Sequence, residues 1–338
     1  MKILDWKKEI NFNELNEVNT CLENGGLVIF PTETVYGIGA IATNERAVDS
    51  IFIAKGRAND NPLIVHVDSI KEIEKYAAIT NEIERKLINN FMPGPFTLIL
   101  KKKDIIPSNV SANLDTVGIR IPSNKIANEI LKYKHIPIAA PSANISGKPS
   151  GTNINDIKEE FMNKVDYIID GDNTDIGLES TVVKVIDNIP VILRPGFITK
   201  EDIINAVGIV RIDNNIFKKA EGIVESPGMK YKHYAPINEC KLIYIKDKQE
   251  KIEYFKKISD NDTLIIGSSD LSNISCKKFL YYGDKLTDIS HNIFTLLREA
   301  DTYNPKIILI EGVSKDGLGL AIMNRLIRAS SYNYIEKI

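Results

Sequence analysis

Two hydroxyls and a carboxylate, on Thr32, Glu33 and Thr34, follow directly on the apolar run 27–30. Ligands of open α/β sheets are held at strand ends of this kind. The same residues also make a good capping turn, and the residues alone leave both readings open. Lys55 and Arg57 flank Gly56 at the end of a helical pattern, ahead of Asn61 and Pro62. Two cations so spaced can clamp an anion, Arg as a planar fork and Lys as a point charge, or they can simply complement a helix C-terminus. Ser142, Asn144, Ser146 and Ser150 crowd the stretch 140–152 with hydroxyls and an amide after a strand of small apolar residues. Such a loop can present hydroxyls and N–H groups to phosphate oxygens or a hydrated metal, or be a plain turn cluster. Ser180 and Arg194 mark two further polar strand ends. Thr, Ser, Asn, Lys and Arg at successive strand ends suit the positioning and charge stabilisation of a nucleotide triphosphate better than covalent catalysis.

Other chemistries are excluded by spacing. The chain has no P-loop, no H-E-x-x-H and no arguable Ser–His–Asp order. Gly37, Gly39 and Ala42 fit a loose dinucleotide pattern, but residues 31–34 separate them from the strand and the acid downstream is Asp60, in a loop. His66 sits inside the apolar run 63–67, where a core role and a functional one both stand; His135 and His291 have no local company. Cys21, Cys240 and Cys276 are too scattered for a zinc site or a disulfide framework.

The elements that must position these groups alternate along 338 residues, a length that suggests two domains. Over the first ~210 residues, apolar runs at 27–30, 63–67, 96–100, 117–121, 137–140, 167–169, 181–186 and 191–193 read as strands rich in Ile, Val and Leu, with helical patterns between them. Asn44 reads as the N-cap of a helix that Gly56 stops, and 13–23 as a helix closed by Gly25 and Gly26. The expected fold is an α/β domain at 1–210 with a large mixed sheet, a linker at 211–238, and a small doubly wound α/β domain at 239–338. The second domain has strands at 241–245, 263–266, 276–281 and 306–310 and helices at 248–258, 286–303 and 318–329. The linker is odd: Lys230, Tyr231, Lys232, His233 and Tyr234 are not the composition of a featureless spacer. A net charge of -2 argues against a polyanion binder. With no run near ~20 apolar residues and no signal-peptide core, a cytoplasmic protein without membrane contact is expected.

Taken in order, residues 31–40, 55–63, 93–97, 117–122, 140–152, 178–182 and 194–196 resemble the threonylcarbamoyl-AMP synthase family, also called the YrdC-like family. The Lys55/Arg57 and Ser142/Asn144 pairs are similar to its Lys-x-Arg and Ser-x-Asn signature. Each motif alone is weak; the ordered set is specific. His233, Tyr234, Ala235 and Pro236, with residues 317–325, resemble the long two-domain form, so the likeness covers nearly the whole chain. Ala58 departs from the pattern, standing where the family has proline.

The resemblance implies a YrdC-like catalytic domain, a linker that acts as a lid, and a Rossmann-like C-terminal domain. It implies that L-threonine, bicarbonate or carbon dioxide, and ATP with Mg2+ give threonylcarbamoyl-AMP and pyrophosphate. The product would pass to a tRNA threonylcarbamoyl transferase complex that modifies the adenosine next to the anticodon, with no stable nucleic-acid binding by this chain. By carry-over, Lys55, Arg57, Ser142 and Asn144 are the catalytic set. Arg57, Asn61, Thr116, Ser142, Ser150, Arg194 and Tyr234 serve ATP, with Tyr234 as the lid residue. Thr34, His66, Arg120, Ala140 and Ser180 form the L-threonine pocket, Arg120 being a suitable fork for its carboxylate. No dedicated metal ligands are expected, because Mg2+ would be held through ATP. Two rival readings fit the sequence less well. A carbamoyl-transfer maturation factor of metalloenzymes would need zinc-finger modules that the three cysteines cannot build. A non-catalytic RNA binder would show basic-aromatic motifs that are missing here.

Overall fold

The structure, a computed structural model, describes residues 1–218, 224–227 and 234–338. His233 and its neighbours Lys230, Tyr231 and Lys232 lie outside the described residues. The chain forms two compact units. The first holds 1–146, 151–175 and the described residues from 179 to 227; the second holds 147–150, 176–178 and 234–338.

The first unit is built on a twelve-stranded mixed sheet. In chain order its strands are β1 (Lys2–Asp5), β2 (Val28–Phe30), β3 (Gly37–Ile41), β4 (Ile64–His66), β5 (Ala77–Ala78), β6 (Phe96–Lys102), β7 (Thr116–Arg120), β8 (Ile138–Ala139), β9 (Tyr167–Asp170), β10 (Thr181–Ile186), β11 (Ile189–Arg194) and β12 (Arg211–Ile212). Their order across the sheet is β1-β9-β2-β3-β8-β4-β7-β6-β10-β11-β12, with β5 paired on β6. The expected α/β fold with a mixed sheet is what forms: β4 and β7 run parallel, while β3, β8 and β4 alternate antiparallel.

Helix ends follow local chemistry. Asn44 accepts from the Ala47 N–H to open the helix Glu45–Lys55, and Gly56 closes it in the left-handed region at φ 60. Thr199 and Asp202 form a reciprocal capping box at the helix Lys200–Val207. The apolar strands are buried on both faces, with Ile29, Val65, Leu98 and Ile119 in one continuous core.

β3 is absent from the sequence reading, which saw only a loose glycine motif there. Glycine is a poor strand former, but here it permits close approach. A Cβ on Gly39 would stand 2.6 Å from Ile138 Cγ2 and 2.7 Å from Phe30 Cε1, on the strands either side. Residues 211–212, read from sequence as the start of a linker, instead add β12 alongside β11 through Val191 and Ile192.

The second unit carries β13 (Cys240–Ile245), β14 (Thr263–Gly267), β15 (Lys278–Tyr281), β16 (Ile307–Glu311) and β17 (Tyr334–Lys337), all parallel, in the order β15-β14-β16-β13-β17. The strand order changes direction, as in a doubly wound sheet. The helices Lys248–Ile258, Leu286–Thr302 and Gly319–Ala329 supply its crossovers. β17 is a strand that the periodicity did not suggest, and its half-exposed side chains explain why. Among the described residues no helix is long and apolar enough to cross a membrane.

Candidate active site

The parallel register of β4 and β7 sets His66 opposite Arg120. Arg120 is buried and its fork is held from two sides: Nε donates to the Gly94 carbonyl at 3.2 Å and Nη1 to Thr34 Oγ1 at 3.0 Å. Nη2 stands 2.7 Å from Glu33 Oε1. The two form a buried ion pair, and backbone N–H groups of Glu33 and Ser123 also act on the Glu33 carboxyl. Thr32 shapes the turn that delivers Glu33 and Thr34, its hydroxyl accepting from the Thr34 and Val35 N–H groups and donating to the Val35 carbonyl.

Burial alone would push the Glu33 carboxyl up; the Arg120 guanidinium reverses this and holds it below the usual carboxylate range. His66 is pushed down to about 3, first by burial and then by the charge of Arg120. It is therefore neutral, and its Nδ1 has no partner. A buried guanidinium and carboxylate beside a hydroxyl and a neutral imidazole complement a zwitterion such as a free amino acid. Ala140 is close by in the sheet, but its N–H is spent on the Ile64 carbonyl. Only its carbonyl is left to offer a ligand.

A second group is organised by Lys55. Its ammonium is buried and donates to the carbonyls of Ser142 and Asn144, both at 2.5 Å. Ser142 Oγ in turn donates to Asn144 Oδ1 at 2.6 Å. Lys55 thus pins the Ser142–Asn144 turn from beneath. Backbone bonds from Ala143 to Tyr36 and from Ile38 to Pro141 tie this turn to the strand that follows Thr34. Arg57 reaches back to the Asn61 and Pro62 carbonyls, each at 3.1 Å. Asn61 itself is 1% exposed, yet both polar atoms of its side chain lack a partner. Buried amides are normally satisfied, so Asn61 marks a place where a polar ligand group belongs.

The third group surrounds Arg194. Its Nε and Nη2 donate to the Ser180 carbonyl, and Nη2 also to Ser180 Oγ at 3.1 Å. Ser180 Oγ is shared with Thr97 Oγ1 at 2.7 Å. Ser180, expected on the amino-acid side, is therefore bonded directly to an expected nucleotide residue. Thr116 Oγ1 donates to Glu225 Oε1, which also meets Lys184, and Arg194 Nη1 donates to the Pro227 carbonyl. Two described linker residues are thus fastened, Glu225 to Thr116 and Pro227 to Arg194.

Ser150 and Tyr234 belong to the second unit. There Tyr234 is buried, stacked on Phe294 at 5.0 Å between ring centroids, with the Arg325 guanidinium 5.8 Å from its ring. The backbone of the next residue, Ala235, donates to the Gly147 carbonyl. The sequence reading singled out Glu33 by type but gave it no role, and Glu225 not at all. An acid at a strand end gave a signal for the first. For Glu225 there was none, because its partners are 109 and 41 residues away.

The Sua5/YciO/YrdC family model, described as telomere recombination, matches residues 20–196. A second model, described as the threonylcarbamoyl-AMP synthase C-terminal domain, matches residues 198–331. The chain is 41% identical over 342 residues to a Pyrococcus abyssi protein named threonylcarbamoyl-AMP synthase, covering 99% of this chain and 97% of that one. It is 37% identical to a Bacillus subtilis protein of the same name, covering 98% of each. The crystal structure of P. abyssi Sua5 complexed with L-threonine matches with a TM-score of 0.93 at 41% identity, over 100% of both chains.

Proposed function

The chain belongs to the Sua5/YciO/YrdC family, in the two-domain form that carries the threonylcarbamoyl-AMP synthase C-terminal module, and we propose on that basis that it is a threonylcarbamoyl-AMP synthase. It would act as a nucleotidyltransferase, converting L-threonine, bicarbonate or carbon dioxide, and ATP into threonylcarbamoyl-AMP and pyrophosphate. Its relatives of that name, and the L-threonine complex of the P. abyssi protein, support the reading. The single observation that carries it in this chain is the buried Arg120–Glu33 ion pair next to Thr34 and neutral His66.

In this account Arg120 takes the threonine carboxylate and Glu33 faces the amine side of the zwitterion. Thr34, His66, Ala140 and Ser180 complete the pocket. The ammonium loses a proton to solvent, the free amine nitrogen bonds to the carbon of carbon dioxide as one C=O electron pair moves onto oxygen, and a second proton leaves to solvent to give the carbamate. A carbamate oxygen then attacks the α-phosphorus of ATP as the bond to the β-phosphate oxygen breaks and pyrophosphate leaves. Positioning and charge neutralisation supply most of the catalysis in such transfers. The Ser142–Asn144 turn, shaped by Lys55, offers its hydroxyl and amide to phosphate oxygens. Arg57 and Asn61 serve the triphosphate, and Thr116 and Arg194 the rest of the nucleotide.

These donors are hydroxyl, amide and cationic groups without a carboxylate among them, a set that suits Mg2+ held through ATP rather than in a protein cage. Magnesium brought with ATP would supply charge neutralisation on the triphosphate. The product would be handed to a tRNA threonylcarbamoyl transferase in the cytoplasm. Pyrophosphate release by the purified protein tests the proposal: release should require ATP, threonine and bicarbonate together. Release that persists without threonine would reject it in favour of ATP hydrolysis or another acceptor.

A further inference from the structure

Asp68, Glu72 and His135 meet where β4 ends and β8 is about to begin. Asp68 lies two residues beyond β4, and Glu72 is in the first turn of the helix Ile70–Tyr76. His135 closes the helix Lys125–Lys134 in the left-handed conformation at φ 53. One ligand-capable atom from each residue lies within 4.8 Å of those of the other two. Among the described residues this is the one such group of His, Cys, Asp and Glu side chains.

A second observation points to a ligand. The Asp68 side chain is 3% exposed and that of Glu72 6%. Asp68 Oδ1 and Glu72 Oε2 are buried with no hydrogen-bond partner. The neighbouring charges do not account for this. Lys75 meets only Glu72 Oε1, at 2.6 Å, and His135 Nδ1 contacts only Asp68 Oδ2. Buried carboxylate oxygens left unpaired are costly, and a coordinated cation is a standard way of satisfying them.

We propose that Asp68, Glu72 and His135 bind a divalent transition-metal ion, with zinc(II) the best match. One imidazole and two carboxylates form a borderline donor set that suits zinc, whereas Mg2+ and Ca2+ favour all-oxygen shells. His135 is largely exposed, which leaves the remaining coordination position to water. The ion would act as a clip. β4 and β8 pair antiparallel with His66 opposite Ile138 and Val65 opposite Ala139. Joining the exit of one strand to the approach of the other would stiffen the part of the sheet that carries His66 and leads into Ala140.

The test is a zinc(II) titration of the full chain against a chromophoric chelator, with Mg2+ as the control ion. It is repeated on His135→Asn, which tolerates the left-handed backbone, and on Glu72→Gln. The expected result is one zinc per chain, at least ~10-fold weaker binding in each variant, and a zinc-dependent rise in Tm confined to the wild type. Equal affinity in wild type and both variants would assign the zinc to other groups, such as the cysteine thiols, and overturn the proposal. So would the absence of binding at micromolar zinc.

Discussion

Arg120 Nη2 stands 2.7 Å from Glu33 Oε1 with both side chains at most 5% exposed, a buried ion pair. The fold, not the pair, sets this geometry. Gly94 and Thr34 hold two edges of the guanidinium, and the Thr32 turn places the carboxylate. A buried ion pair of this kind adds little net stability but is costly to break, because the survivor is left uncompensated.

Glu33→Gln should therefore cost about 3–5 kcal/mol of stability at neutral pH and weaken threonine binding while Arg120 stays in place. The cost should shrink in acid. Glu33 titrates in the folded protein below its ordinary value of 4.5. Its contribution is complete above pH 4.5 and is lost as the pH falls through the lower folded value. Urea unfolding of wild type and variant at pH 7 and below pH 4 measures both effects.

His66 gives a second pH signature. The unfolded chain takes up a proton near the ordinary value of 6.5, whereas the folded protein refuses it until about 3. Stability is thus unaffected by this group above pH 6.5 and falls as the pH drops from there towards 3. His66→Gln should flatten that part of the stability curve. For the same reason threonine affinity should show no inflection near pH 6.5 from this residue, which binding measured at pH 6 and 8 would check.

Asn61 separates ligand binding from stability. Its side chain makes no bond within the protein, so Asn61→Ala removes buried polar atoms that folding leaves unsatisfied. The variant should keep or slightly raise Tm while the KM for ATP rises ~10-fold, about one charge-assisted hydrogen bond. Calorimetric unfolding together with ATP titration reads both.

Gly39→Ala should be destabilising by about 1–3 kcal/mol, the usual cost of overpacking. The added methyl would meet Ile138 and Phe30 at under 3 Å. Because β3 leads back from Thr34, a loss of threonine affinity should accompany the lower Tm.

How much of this was legible in the sequence depended on the range of the interactions. The helices 45–55 and 248–258 and the strand 181–186 stood where local signals put them, because caps and apolar runs are local. β3 was not legible, because its glycines answer to packing between neighbouring strands rather than to strand propensity. The residue types of the site were visible at strand ends, and the ordered motifs grouped them. Their division of labour was not. Lys55 had the residue type of a phosphate ligand, yet its ammonium is engaged by the carbonyls of Ser142 and Asn144. Ser180 and Arg194 were placed on different sides of the site but are bonded to each other. Pairings across 86 or more residues, as between Thr34 and Arg120, leave no trace in spacing.

The central claim is that Arg120 and its neighbours are the amino-acid subsite. Equilibrium binding of L-threonine without ATP, in wild type and Arg120→Gln, tests it most directly. The account predicts saturable binding to the wild-type protein and a loss of ~10- to 100-fold or more in the variant, the worth of a buried charged contact to a carboxylate. Unchanged threonine affinity in a folded Arg120→Gln protein would contradict it.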